Sequence, residues 1–184
     1  MGADIHMYIE YKNKKHSAED IKNGRKAYWY GFGDRINPGR NYTMFAVLAG
    51  VRGSYKDSFE PKGKIEMDEM GWGSRGDAYL YISEDKNLEN SCTLEQAQRW
   101  SQYGRKIVER DGKPVWVEHP DWHSHSWMTT KELQKAYKIY EKHASKEWDD
   151  DIRVGVEYRA ILAAMKEIES CGEYEARVVF WFDN

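Results

Sequence analysis

The chain predicts an α+β fold in one domain, a mainly antiparallel sheet with three or four helices. Three observations carry that expectation. Stretches at both ends alternate between two faces, the signature of strands. Several helix starts and stops are written in capping residues. Asp111-Gly112 between apolar runs reads as a tight hairpin turn, which joins antiparallel strands.

In order, residues 3–11 put Ile5, Met7, Ile9 and Tyr11 on one side and Asp4, His6, Tyr8 and Glu10 on the other, a strand with one apolar face. Lys12–Lys26 is polar and reads as a loop or wide hairpin, and Ala27–Phe32 as an aromatic strand weakened by Gly31 and Gly33. Asp34–Gly39 is turn material. Arg40–Gly50 reads as a short helix with Asn41 as N-cap and Gly50 as stop. Gly53–Ala78 is glycine-rich and without period, either a binding loop anchored by Trp72 or irregular surface. Tyr79–Ile82 is a short strand.

Thr93–Gln96 is a capping box opening a helix to Tyr103, and Ile107–Val117 forms the hairpin, with Pro114 placing its second strand at an edge. Trp122–Met128 reads as extended. Thr129–Glu132 is a second capping box that launches a helix to about Glu147. Trp148–Asp151 is an acidic break, read as linker or cap rather than metal cluster. Val156–Ser170 is a helix ended by Gly172, with Ile161, Leu162, Met165 and Ile168 inward. Tyr174–Asp183 is apolar on both faces, so it reads as a central strand.

Composition narrows the function. The 184 residues carry a net charge of -3, which argues against a broad nucleic-acid surface while leaving room for a local basic pocket. The 8 Trp and 13 Tyr fill cores, stack on bases or line pockets. Cys92 and Cys171 form neither a zinc spacing nor a disulfide scaffold. The start lacks a signal-peptide pattern, and no apolar run approaches the roughly 20 residues that span a bilayer, so the expectation is a cytoplasmic protein. Homo-oligomerisation stays open. No nucleophile elbow, P-loop, Rossmann fingerprint or EF-hand loop is present.

The densest chemistry is Asp121-Trp122-His123-Ser124-His125-Ser126-Trp127, just upstream of a helix N-terminus where backbone N–H groups favour an anion. In a straight strand His123, His125 and Trp127 share one face, and Ser124 and Ser126 the other. In the first strand Asp4 neighbours His6 and can fix its tautomer. Arg40, Asn41 and Tyr42 sit at a helix start and Arg52 follows its end, a natural anion site if Arg40 is not simply paired with a carboxylate.

Four segments together resemble a family of small phage and prophage proteins of unknown mechanism. They are Gly2-x-Asp4-Ile5-His6, the run from Arg40-Asn41-Tyr42 to Val51-Arg52, His123-Ser124-x-Ser126-Trp127, and the closing Val178-x-Phe180-Trp181-Phe182-Asp183. Ala3 stands where many relatives have Cys, and the position of His125 varies among them. The resemblance implies a mobile-element origin, a bacterial host cytoplasm and a role against host defence.

Three readings of the site follow. In the first, the chain binds a small nucleotide or cyclic nucleotide and hydrolyses its phosphodiester. His6 and His123 are then acid and base, Asp4 tunes His6, Arg40 counters charge, and Ser124 and Ser126 donate to phosphate oxygens. Asp4, His6, His123 and His125 could instead hold a divalent metal such as zinc or manganese. In the second reading Arg40, Asn41, Tyr42, Arg52, His125, Ser126 and the rings of Trp72, Trp122 and Trp127 sequester a nucleotide signal without cutting it, and hydrolysis is placed ahead of sequestration. In the third, the chain is a protein-binding inhibitor of a host defence factor. Beneath all three lies a bland alternative in which the His and Ser residues only satisfy backbone and core.

Overall fold

A computed structural model describes residues 2–24, 28–63, 65, 81–83, 92–93, 116–118, 123–144 and 154–183. The fold is α+β, with four helices and antiparallel strands among the described residues. The strands are β1 (Asp4–Asn13), β2 (Tyr30–Gly31), β3 (Tyr81–Ser83), β4 (Cys92–Thr93), β5 (Trp116–Glu118), β6 (His123–Thr129) and β7 (Tyr174–Asp183). The helices are α1 (Lys14–Lys22), α2 (Tyr42–Ala49), α3 (Thr130–Ala144) and α4 (Val156–Ser170). The main sheet runs β2-β1-β7-β6, and a smaller antiparallel sheet runs β3-β5-β4.

Strands β1 and β7 pair over their full length, from Asp4 opposite Asp183 to Asn13 opposite Tyr174. Alternation then separates two faces. Ile5, Met7 and Ile9 lie beside Phe182, Phe180 and Val178, and this face packs on Met44, Phe45, Val47 and Leu48 of α2, Leu133 and Ala136 of α3, and Ile161 and Met165 of α4. On the other face Tyr8, Trp181 and Val179 pack with Ile65 and Trp127. Strand β7 is therefore buried on both sides, as its doubly apolar sequence requires.

That second face also holds a buried ion pair. Arg177 Nε donates to Glu10 Oε2 at 2.7 Å and Nη2 lies 2.6 Å from the same oxygen. Trp29 covers the guanidinium at 3.8 Å. The side chains are 6% and 0% exposed, so the pair meets out of contact with bulk water.

The caps behave as their residues dictate. Asn41 Oδ1 accepts from Met44 N at 2.9 Å, and Gly50, at φ 66°, closes α2 by donating to the Ala46 carbonyl. Thr129 and Glu132 form the reciprocal box, each backbone N–H meeting the other's side chain. The inward set of α4 includes Tyr158, with Leu162 and Ile168 only partly buried.

Two expectations are corrected. Within the stretch read as a loop or wide hairpin, Lys14–Lys22 is a helix. Asn13 Oδ1 accepts from Lys15 N and His16 N and starts α1, a helix missed because it has no apolar stripe and leaves Ile21 69% exposed. The aromatic strand shrinks to Tyr30–Gly31, although Phe32 N to Ile9 O and Ile36 N to Met7 O carry contact along β1 past the turn at Gly33. The helix to Tyr103, the turn at Asp111-Gly112 and the acidic run 148–151 lie outside the described residues.

Arg177→Ala should cost about 3 kcal/mol by removing two charge-assisted hydrogen bonds from the buried Glu10 carboxylate, read as a lower urea midpoint. The double variant Glu10→Leu with Arg177→Met should recover most of that loss. A single variant as stable as the parent would contradict the pair's burial.

Candidate functional site

The chemistry gathers where β1 begins and β7 ends. His6 lies opposite Trp181, so both side chains are on the face away from the helices. Its ring stacks on that indole at 5.6 Å. His6 Nε2 is 2.7 Å from Asp183 Oδ2, and Nδ1 is 3.0 Å from Arg35 Nη1. Arginine has donors only, so Nδ1 must be the acceptor and Nε2 must carry the proton given to Asp183. These two contacts select one tautomer of the ring. Asp183 Oδ1 also accepts from Asp4 N at 3.2 Å.

Asp183, not Asp4, is the partner that orients His6. The Asp4 carboxylate turns to Arg40, which grips it through Nε at 2.6 Å and Nη2 at 2.8 Å. The hydrogen bonds from Arg40 hold the Asp4 carboxyl below the usual carboxylate range. Both side chains remain substantially exposed. Gly2 lies against this pair, where an added Cβ would collide with the Arg40 guanidinium and meet the Tyr42 hydroxyl at 3.2 Å.

Strand β6 departs from simple alternation. His123 is opposite Phe182 and Ser126 opposite Phe180, so Ser124 and His125 together face Trp181. Ser124 takes a left-handed φ of 52°, which creates the bulge. The extra residue divides the two histidines. His123 goes with Phe182 on the helix face, ring centroids 6.1 Å apart. His125 goes with Trp181 on the other, 5.8 Å apart, alongside Trp127.

The proposed acid–base pair is therefore not assembled: His6 and His123 lie on opposite faces of the sheet. His125 shares the face of His6, but Trp181 stands between the two strands that carry them. Asp4, His6, His123 and His125 do not converge as a metal set, and among the described residues no group of three His, Cys, Asp or Glu could hold a metal ion. Ser124 Oγ shares a 2.9 Å hydrogen bond with His123 Nδ1, and His123 Nε2 is buried without a partner among the described residues.

The other predicted residues are dispersed. Ser126 Oγ accepts from Lys62 N. Asn41 caps α2 and donates to the Tyr140 hydroxyl. Tyr42 is exposed against Phe45, and Arg52 is exposed beyond α2. Trp72 and Trp122 lie outside the described residues.

A strap runs from α2 to β6 and props the bulge. Asp57 accepts from Lys142 Nζ at 2.7 Å and His143 Nε2 at 2.8 Å, which hold its carboxyl far below the usual range. Tyr55 stacks on His143 at 3.8 Å. At the far end Gly63 N donates to the His125 carbonyl. Lys62 Nζ lies 3.6 Å over Trp127 and 2.8 Å from both Glu132 oxygens.

Sequence reasoning missed Asp183 and Arg35. Asp183 could have been found by pairing the two terminal strands in register, which sets it across from Asp4. Arg35 sits in turn material with no local signal of its role. No family model, curated protein or solved structure matches this chain. Among the described residues no helix is long and apolar enough to cross a membrane.

Arg40→Ala should let the Asp4 carboxyl climb toward the ordinary value of about 3.9, followed by carboxyl NMR titration. A depressed carboxyl stabilises above the unfolded value and loses that contribution as pH falls through the folded one. The acid-side loss that Asp4 contributes in the parent, between the unfolded value and the lower folded one, should therefore shrink or vanish in Arg40→Ala.

Proposed function

We propose that this chain is a phage-encoded protein that captures a small nucleotide or cyclic nucleotide through its phosphate, at the Arg35–His6–Asp183 end of the sheet, to counter a host defence signal. One observation carries the reading. Arg35 is exposed and has no carboxylate partner among the described residues; its contact is the neutral Nδ1 of His6. Arg35 lies within electrostatic reach of Asp4 without hydrogen-bonding to it, and an exposed guanidinium with donors left over suits a phosphate, because its planar donors match phosphate oxygens. Arg40 stands nearby, so a second guanidinium borders the same end. The resemblance of four segments to phage and prophage proteins is what suggests the biological setting.

Capture moves ahead of hydrolysis for a geometric reason. The two-histidine mechanism needs a second imidazole beside His6, but His123 is on the other face and His125, on the same face, is separated from His6 by Trp181. Hydrolysis stays as the second reading because Asp183 and His6 have the spacing of an orienting carboxylate and its base, 2.7 Å.

Purified protein should be incubated with linear and cyclic nucleotides, with and without divalent metal, and followed by thermal shift and chromatography. A captured ligand at about 100 times its Kd stabilises by about 2.7 kcal/mol and is recovered intact. Arg35→Ala and His6→Ala should lose the shift, whereas His123→Ala should keep it. New product would establish the hydrolytic reading. No shift and no product across the panel would end the nucleotide proposal and point to a protein partner.

A further inference from the structure

We infer that Arg35 is a cover over the His6 imidazole that an anionic ligand removes, so that His6 Nδ1 becomes available only when the site is filled. The inference rests on the phosphate-capture reading and adds how that site is regulated. His6 is only 5% exposed, whereas Arg35 is exposed, and the two meet through Nη1 and Nδ1 at 3.0 Å. The guanidinium therefore lies outside the imidazole and occupies its one acceptor atom.

The contact is one that an anion can break. Arg35 donates to a neutral nitrogen, and hydrogen bonds to a charged oxygen are roughly twice as strong as neutral ones. A phosphate oxygen is thus the better acceptor. The backbone near Arg35 is tied down, because Ile36 N donates to Met7 O, while the preceding Gly33 at φ 76° turns the chain. Exchange then needs only the exposed side chain to swing, with β1 unmoved.

The groups around His6 keep the ring in place during the exchange. Asp183 from β7 still accepts from Nε2, and Trp181 from β7 still stacks on the ring. Asp4 from β1 is gripped by Arg40, and its pull on Arg35 is electrostatic, with no hydrogen bond between the two among the described residues. Once Arg35 turns to the anion, the Nδ1 lone pair faces the space it left. An empty site would hold no accessible base.

Long-range proton–nitrogen NMR of the 15N-labelled full chain tests this directly. The spectra are recorded at fixed slightly alkaline pH and matched ionic strength, with inorganic phosphate and with cyclic AMP as probes and chloride as control. In the free protein Nε2 should be protonated and Nδ1 should show the signal of an unprotonated, hydrogen-bonded nitrogen. Adding either probe should move Nδ1 toward the position of an unbonded nitrogen while Nε2 stays. In Arg35→Ala, Nδ1 should start near that position and phosphate affinity should fall about tenfold or more. Binding with Nδ1 unmoved, or an Arg35→Ala spectrum identical to the parent, overturns the exchange and leaves phosphate capture standing. Absence of binding by both probes overturns both. The titration of the unaltered chain decides the question even if the variant fails to fold.

Discussion

Everything in this molecule depends on the ladder between β1 and β7. Ten residues from each end of the sequence pair without a break, Asp4 against Asp183 through Asn13 against Tyr174. Side chains in a strand alternate, so a shift of one residue would exchange the faces of a whole strand. The register seals Ile5, Met7 and Ile9 with Phe182, Phe180 and Val178 beneath three helices. It also stacks Trp181 between Tyr8 and His6 on one side and His125 on the other. The same register sets Glu10 opposite Arg177, so the buried ion pair and the imidazole cluster are consequences of one alignment.

The face away from the helices is polar at both ends and apolar in the middle. Glu10 and Arg177 occupy one end under Trp29, and His6, Asp183 and Arg35 the other. Burying a charge is tolerated only with a partner, and the two ends meet that demand differently. At the first, opposite charges meet directly. At the second, an imidazole sits between a donor, Arg35, and an acceptor, Asp183.

The bulge in β6 shows how a single backbone angle redirects chemistry. Ser124 at φ 52° inserts one residue against Trp181, and the two histidines of His123-Ser124-His125 separate to opposite faces. The strap from Tyr55 to Gly63 then supports the displaced strand through His125 O and Ser126 Oγ. It is itself tied to α3 at both ends, by Asp57 to Lys142 and His143, and by Lys62 to Glu132.

Local signals decided what local physics controls. Asn41 and Gly50 set the ends of α2, Thr129 and Glu132 the start of α3, and the two-sided apolar pattern of Tyr174–Asp183 made β7 central, because caps and alternation act within a few residues. The α1 helix escaped because its only signal is the Asn13 cap, with no apolar stripe to accompany it. Tertiary structure alone decided the site. Residues 177 positions apart, His6 and Asp183, meet because the termini pair. Arg35 reaches Nδ1 because the turn after β2 folds back along β1. His123 and His125 part because a bulge breaks the period on which their shared face depended. Composition and spacing carry no record of strand register or of a left-handed serine, and those two facts determine which of the candidate groups can act together.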